Sequence, residues 1–200
     1  MTTGSNNLDH LRNGVREAYS RAAEKPQDEH PFPVGRRFAE NIGYPKELLD
    51  EIPSISSDAF SGVSNVSIVA DIPGGSTVLD LGCGAGLDTI IAARKTGDEG
   101  RVLGLDFSKA MLSRAVLSIK EAGIDNVEFF QGDAERIPAR DESFDVVMVN
   151  GIFNLNPARD AIFKELARVV KRGGSVFAAE LILKESSAEK ALTCDASWFA

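Results

Sequence analysis

A glycine-rich turn is the feature that most constrains the fold of this chain. Residues 78–86 read VLDLGCGAG, an apolar run followed by glycine at alternate positions, Gly82, Gly84 and Gly86. Glycine permits a tight turn and a close approach to a ligand, and a following helix offers unpaired N–H groups and positive dipole. The segment therefore predicts a strand, a turn and a helix that bind a polar or anionic ligand. It does not fit the dinucleotide pattern G-x-G-x-x-G, because Leu87 stands at the third glycine position.

Short apolar runs alternate with amphipathic stretches of helix length downstream of this turn, which is typical of βαβ units on a parallel sheet. Right-handed crossovers predict an α/β, Rossmann-like fold with strand order 3-2-1-4-5 and helices on both faces. One helix is expected to begin after Ser108 and end at Gly123, and another to begin at Asn156 and Pro157 and end at 171–174. The predicted strands are Thr77–Leu81, Arg101–Leu105, Val127–Phe130, Phe144–Val149 and Ser175–Leu183.

The N-terminal third lacks this alternation and is interpreted as a lid of small helices. Three prolines exclude a helix from 26–35, and the residues before Val15 are polar enough to predict fraying. The division we expect is a lid over 1–67, a ligand-binding domain over 68–185 and a truncated C-terminal segment over 186–200. Helical elements are predicted over 15–23, 36–42 and 46–51, and the structure of 54–67 is left open.

Charge and composition exclude several classes of function. The net charge of −8 would repel phosphate backbones and anionic lipid heads, so neither nucleic acid nor a membrane is expected as a partner. We expect a cytoplasmic protein, since no apolar run approaches the length of a membrane span. Two cysteines, Cys83 and Cys194, exclude a disulfide framework and a multi-cysteine metal site. His10 and His30 precede the main fold, so no metal centre is expected.

The glycine segment resembles motif I of the class I S-adenosylmethionine (SAM)-dependent methyltransferases, whose form is close to VLDLGCGxG. That resemblance implies SAM as the cofactor, with Asp80 orienting its ammonium group. Asp106 ends the second strand, where a carboxylate can accept both ribose hydroxyls, and Asp133 follows the third, near the adenine amino group. The cofactor-binding residues we expect are Asp80, Gly82, Cys83, Gly84, Gly86, Asp106, Phe107, Met111, Gly132, Asp133, Ala134 and Asn150.

Over most of its length the chain is similar to the arsenite methyltransferase-like branch of that family. The similarity is carried by GYP at 43–45, LDLGCGAGLD, GRVLGLDFS, NVEFFQGDAERIP and NGIFNLNP. Members of the branch hold trivalent arsenic through several cysteine thiolates, and they usually carry one in the stretch aligned with residues 150–155. This chain has none there. One thiol does not chelate arsenic, so we predict no tight arsenite site and a different acceptor, small and partly apolar.

The function predicted from these features is SAM-dependent methyl transfer to a small-molecule acceptor. Asn150 and Asn154 are expected at the reacting centre, and no strong base is needed if the acceptor is already nucleophilic. A SAM-binding protein without catalysis, or a catalytic fragment, is the alternative, since 184–200 is short for the terminal hairpin of the family. An NAD-linked reductase fits the fold but not the glycine spacing. The acceptor-binding residues we expect are Tyr19, Phe32, Arg36, Ile152 and Phe153.

The fifth predicted strand is strongly apolar and is expected at an edge of the sheet. Val176, Phe177, Leu181, Ile182 and Leu183 carry this character. An unpaired apolar edge recruits a strand from a neighbouring chain, so the sequence predicts a homo-oligomer formed through this edge.

Overall fold

The computed structural model describes residues 3–182, and the segment 186–200 lies outside them. One parallel sheet has the order β3-β2-β1-β4-β5, which confirms the predicted topology. Its strands are β1 (Thr77–Leu81), β2 (Arg101–Asp106), β3 (Val127–Gln131), β4 (Phe144–Asn150) and β5 (Val170–Ala179). The helices are α1 (Thr3–Glu24), α2 (Arg36–Asn41), α3 (Lys46–Asp50), α4 (Ser54–Ser57), α5 (Val66–Val69), α6 (Leu87–Thr96), α7 (Lys109–Ala122) and α8 (Arg159–Val169).

The central strand β1 is buried on both faces, as parallel strands covered by helices must be. On one face, Leu79 and Leu81 pack in a cluster with Ile162 and Leu166 of α8. On the other face, Val78 packs with residues of α5, α6 and β2. Because β1 pairs with both β2 and β4, the sheet order reverses beside it, and a crevice opens at the carboxyl ends of these strands.

Helix α7 has the predicted ends. Ser108 accepts a hydrogen bond at Oγ from the backbone N–H of Met111 over 3.3 Å, and Gly123 follows the last turn with the left-handed φ of 65°. These contacts satisfy backbone groups that a helix end leaves free.

The predicted boundaries of α8 and β5 are wrong. Helix α8 begins at Arg159, because the Asn156 side chain instead accepts the N–H of Ala158 in a turn that precedes it. Strand β5 begins at Val170, directly after the helix, and ends at Ala179. Residues 171–174 therefore lie in the strand, where a shift of register against β4 accommodates them and Gly173 takes a φ of 82°.

The N-terminal segment is more helical than predicted, since α1 begins at Thr3 where fraying was expected. Val15, Ala22 and Ala23 of α1 are buried, and Arg114 of α7 donates to the carbonyl of Ala23 over 2.9 Å. The turns α2 and α3 confirm the short helices predicted there. Two further turns, α4 and α5, occupy the stretch left open. Helix α5 crosses the expected boundary at 67/68, and the division into lid and domain stays a prediction.

Strand β5 pairs with β4 and is an edge of the sheet among the described strands. Val176 is 43% exposed on it, whereas Leu181 and Ile182 lie beyond its end. Self-association through this edge stays a prediction. Within residues 3–182, no helix is long and apolar enough to cross a lipid bilayer.

Candidate active site

A cleft lies at the carboxyl ends of β1, β2 and β4 and is covered by α1. Its position matches the switch point of the sheet, where ligands bind in open α/β folds. The sequence-predicted residues that line it are Tyr19, Asp80, Gly82, Cys83, Gly84, Asp106, Phe107, Gly132, Asp133, Ala134, Asn150 and Ile152.

The glycine turn after β1 needs its glycines for two different reasons. Gly82, Gly84 and Gly86 have φ values of 82°, 52° and 88°, in the left-handed region that side chains disfavour. A Cβ atom on Gly82 would lie 2.5 Å from Cγ2 of Ile152. Gly86 does not line the cleft, because it sits at the start of α6, where an added Cβ would lie 3.2 Å from Cβ of Ala115. The structure thus gives Gly86 a role in packing α6 against α7, and its predicted contact with the cofactor stays a prediction.

Asp106 is held rigidly at the end of β2. Its Oδ2 accepts the backbone N–H of Gly84 at 2.9 Å, and its Oδ1 accepts the N–H of Ser108 at 2.8 Å. Burial raises the pKa of this carboxyl to about 6, and the backbone N–H donors oppose the rise. The carboxylate is therefore aimed by the backbone before any ligand arrives.

Asp80 and Asp88 form an acidic wall of the cleft at the end of β1 and the start of α6. Asp80 is 2% exposed, and its Oδ2 accepts the hydroxyl of Thr89 at 2.5 Å. Burial raises the pKa of Asp80, and the neighbouring charge of Asp88 raises it further. Asp88 accepts hydrogen bonds from Tyr44, Ser67 and Asn150.

Helix α1 closes the cleft with aromatic and charged side chains. The Arg16 guanidinium lies 5.8 Å from the ring centroid of Phe107, and Tyr19 meets that ring edge-on at 6.2 Å. Arg12 pairs with Glu135 at 2.6 Å. Phe32 stacks on Tyr19 at 4.5 Å between ring centroids and is not itself among the residues that line the cleft, so it supports Tyr19.

The stretch after β4 contributes fewer site residues than predicted. Asn150 and Ile152 line the cleft. Phe153 instead packs into the core under α8, where it stacks on Phe163 at 4.8 Å. Asn154 turns towards the end of β5, and its Nδ2 donates to the carbonyl of Leu181 at 2.7 Å. Phe153 and Asn154 therefore do not line the cleft in this structure, and their predicted contact with the acceptor stays a prediction.

Two more residues that were predicted to contact a ligand, Arg36 and Met111, lie outside the cleft lining and hold parts of the fold together. Arg36 pairs with Glu40 at 3.0 Å and with Asp50 at 2.5 Å, which fastens α2 to α3 away from the cleft. Met111 is buried beneath α1 in a cluster with Ala22 and does not line the cleft. Both were predicted from their position in the sequence, which did not show which face of each helix turned to the site.

Several lining residues were missed by the sequence analysis. Asp88, Glu135, Arg12 and Arg16 all face the cleft. A signal existed for Asp88, because it is a carboxylate in the first turn of the helix that follows the glycine turn. The arginines gave none, because a solvated helix face has the same pattern.

Comparison with known proteins agrees with this geometry. A family model described as a methyltransferase domain matches residues 72–197, which is more than half of the chain. The chain belongs to this family. The match covers β1 to β5 and thus every strand end that forms the cleft. It confirms the class I methyltransferase resemblance of the glycine motif, and it implies SAM as the cofactor.

The curated relatives are methyltransferases longer than this chain. An arsenite methyltransferase of Halobacterium salinarum is 35% identical over 146 residues, which is 72% of this chain and 37% of the relative. A demethylmenaquinone methyltransferase of Lactococcus lactis is 41% identical over 106 residues, 53% of this chain and 42% of the relative. The matches thus span less than half the length of either relative.

A solved structure shares the fold over most of the chain. It is an arsenic(III) S-adenosylmethionine methyltransferase from Chlamydomonas reinhardtii, with 28% identity and a TM-score of 0.59. The match covers 84% of this chain and 57% of that protein. The predicted resemblance to the arsenite methyltransferase-like branch is therefore confirmed.

The residues of the cleft fit SAM on chemical grounds. The cofactor carries an ammonium and a sulfonium cation, and the cleft is walled by the buried carboxylates Asp80, Asp88 and Asp106. Among the ion pairs of the described residues, none involves these three side chains. A buried anion without a counterion is costly, so a cationic ligand compensates the site.

Proposed function

We propose that this chain is a SAM-dependent methyltransferase domain acting on a small, partly apolar acceptor. The observation that carries the proposal is the cleft itself, where the glycine turn, the backbone-aimed Asp106 and the acidic wall of Asp80 and Asp88 meet at the switch point of the sheet. Family membership supports the same function.

Asp106 would accept the ribose hydroxyls of the cofactor, because its two oxygens are already oriented by Gly84 and Ser108. Asp80 would face the ammonium group, and Phe107 would lie beside the adenine ring. Cys83, Gly132 and Ala134 would contact the cofactor through their place in the lining. When bound, SAM supplies a methyl group made electrophilic by the sulfonium. The protein contributes alignment and a cleft shielded from water.

The part of the cleft that would hold the acceptor contributes apolar walls rather than a strong base. Tyr19, Phe60, Ile152 and Leu155 line this part of the cleft, which supports a partly apolar acceptor. Burial raises the pKa of the Tyr19 hydroxyl, and the charge of Asp106 raises it further. The hydroxyl therefore stays protonated, so it can donate a hydrogen bond but cannot act as a general base. The described lining contains no histidine and no lysine. The acceptor therefore has to bring its own nucleophile.

One observation favours a second candidate, a SAM-binding protein without catalysis. Asn150 was expected at the reacting centre, but its side chain is already bonded to Val63, Ser64 and Asp88. Asn154 lies outside the cleft. The hydrogen-bonding groups of the Asn150 side chain are thus already occupied within the protein.

Two experiments separate these functions. Calorimetry with S-adenosylhomocysteine (SAH) tests the cofactor site, and a turnover assay with methyl-labelled SAM on a metabolite pool tests transfer. Methyl transfer that disappears in the Asp106→Ala variant supports the enzyme. Tight SAH binding with no labelled product from any pool indicates the binding protein, and failure to bind SAH contradicts both.

A further inference from the structure

Asp88 is a buried carboxylate that the cofactor motif does not include. It lies in the first turn of α6, is 6% exposed, and is one of the residues that line the cleft. Its Oδ1 accepts the hydroxyl of Tyr44 at 2.5 Å and also that of Ser67, and its Oδ2 accepts Nδ2 of Asn150 at 2.9 Å. Three separate parts of the chain thus converge on one side chain.

All three donors to Asp88 are neutral groups. They stabilise the carboxylate by hydrogen bonding, and the N-terminus of α6 adds a favourable dipole. Neither of these supplies a full positive charge. The ion pairs of residues 3–182 do not include Asp88, so its charge is buried without a counterion.

Asp80 adds a second carboxylate to the same wall. The ionisable groups that act on it are Asp88 from α6 and Asp106 from β2, and both raise its pKa in addition to burial. Cys83 lies in the adjoining turn, where burial raises the pKa of its thiol, so the thiol adds no charge near neutral pH. Tyr44 also stays protonated, because burial and the charge of Asp88 raise its pKa. The groups around Asp80 are thus anionic or neutral.

We propose that Asp88 is a positioning residue for the amino-acid end of the cofactor, acting with Asp80 as a pair of carboxylates that recognises its ammonium group. This inference rests on the proposed function. Asp88 also fixes Asn150 and Tyr44, so the ammonium site and the loop at 62–64 are built as one unit. Two carboxylates within Coulombic reach favour a cation strongly, since each is otherwise penalised by the other.

Binding of the cofactor's ammonium group is then coupled to release of a proton from Asp80. In the free protein the neighbouring charge keeps part of the Asp80 population protonated, whereas a bound ammonium favours the ionised form. Binding of an amino-bearing ligand therefore releases a proton, and its affinity rises with pH through the titration of Asp80. A ligand that lacks the amino group does not share this rise.

The test compares SAH with 5′-methylthioadenosine, which keeps the adenosine and the thioether but lacks the amino-acid end. In calorimetry, Asp88→Asn is expected to weaken SAH about tenfold and to change methylthioadenosine by less than about twofold. The effect is attributable to the amino group, because removing a negative charge would strengthen binding of the carboxylate. Asp133→Asn is the matched control, since that carboxylate also lines the cleft but follows β3, away from the β1–α6 turn of Asp80 and Asp88, and its loss should affect both ligands alike.

Equal losses for both ligands in Asp88→Asn would show a merely structural residue and would overturn the proposal, as would an unchanged SAH affinity. If that variant does not fold, the pH dependence of ligand binding by the wild-type protein tests the proposal instead. The ratio of the two affinities should rise in favour of SAH between about pH 5 and pH 8, and a flat ratio contradicts the proposal. Failure of the wild type to bind either ligand refutes the proposed function itself, which is a different result.

Discussion

The Oδ1 atom of Asn150 accepts the backbone N–H of Val63 over 2.8 Å, which joins the end of β4 to a loop that precedes the sheet. The same side chain bonds both the N–H and the carbonyl of Ser64, at 3.1 and 2.7 Å. An amide side chain can satisfy a donor and an acceptor of one peptide segment at once. Asn150 therefore holds one wall of the cleft in place.

Replacing Asn150 by alanine should loosen this wall. The variant loses hydrogen bonds to Val63, Ser64 and Asp88, and we expect its free energy of unfolding to fall by about 2 kcal/mol. A thermal melt monitored by circular dichroism measures this. Asn154→Ala is the control, because that side chain makes one exposed contact outside the cleft, and it should change stability by less than about 0.5 kcal/mol. Equal effects of the two variants would contradict the role of Asn150.

Gly82→Ala should lower stability by more than the strained backbone conformation alone explains. The left-handed φ of 82° costs an alanine about 1–2 kcal/mol, and the new Cβ would also meet Cγ2 of Ile152 at 2.5 Å. Gly123→Ala isolates the first effect, because Gly123 has a left-handed φ of 65° with no atom within 4 Å of an added Cβ. Melting temperatures and SAH affinity should fall further for Gly82→Ala, and adding Ile152→Ala should recover part of the difference. A lack of recovery would mean that the clash is relieved another way.

Features of the fold and the cleft could be predicted from the sequence where the pattern that indicates them lies within a few neighbouring residues. The sheet order, Ser108 and the cleft position of Asp80 and Asp106 followed from strand and helix periodicity with the glycine turn, and these signals lie within a few residues. The orientation of Asn154 and Phe153 could not be predicted in this way, because a loop after a strand has no period that shows which side chain turns inward. The side chain of Arg12 is held at the cleft by an ion pair with Glu135, which lies far along the chain. No local pattern reports such a pairing.

Asp106 should make cofactor affinity depend on pH. Its pKa is raised to about 6, so it protonates below that pH and can then no longer accept two ribose hydroxyls as an anion. SAH and 5′-methylthioadenosine should therefore both bind more weakly as pH falls below about 6. Asp106→Ala should cost about 2–3 kcal/mol for each ligand at neutral pH. It should remove the pH dependence for methylthioadenosine, whereas SAH keeps the part that is due to Asp80. Unchanged SAH affinity in calorimetry would contradict the assignment.

The effect of Asp106 on the stability of the ligand-free protein should change with pH in the opposite direction to its effect on cofactor affinity. A raised pKa means that the folded ligand-free protein binds the proton of Asp106 more tightly than the unfolded chain does. Its contribution is fully present below the ordinary pKa of an aspartate and is lost as pH rises to about 6. Urea unfolding of wild type and Asp106→Asn across this range should show a pH-dependent difference that levels off above it.

Arsenite should not bind tightly to the cleft. Trivalent arsenic requires several thiolates, and Cys83 is the cysteine that lines the described cleft, with a thiol pKa raised by burial. Cys194 lies outside the described residues. Titration of arsenite into wild type, Cys83→Ser and Cys194→Ser should show no submicromolar site. Tight binding that disappears with either substitution would mean that this chain has kept the arsenic chemistry of its relatives.

Helix α1 should act as a salt-sensitive cover for the cofactor. Arg12 pairs with Glu135 at 2.6 Å and Arg16 with Asp133 at 3.4 Å, so two ion pairs fasten the helix across the cleft. These side chains are partly exposed, and each pair contributes about 0.5 kcal/mol or less after solvent screening. Arg12→Gln should therefore raise the dissociation rate of SAH about twofold, and high salt should do the same to the wild type. Stopped-flow displacement measures both rates. Arg21→Gln is the matched control, since its partner Asp28 lies beyond the end of α1 and outside the cleft lining. Equal rates for the three proteins at low salt would show that packing of Val15 and Tyr19, and not charge, keeps the helix closed.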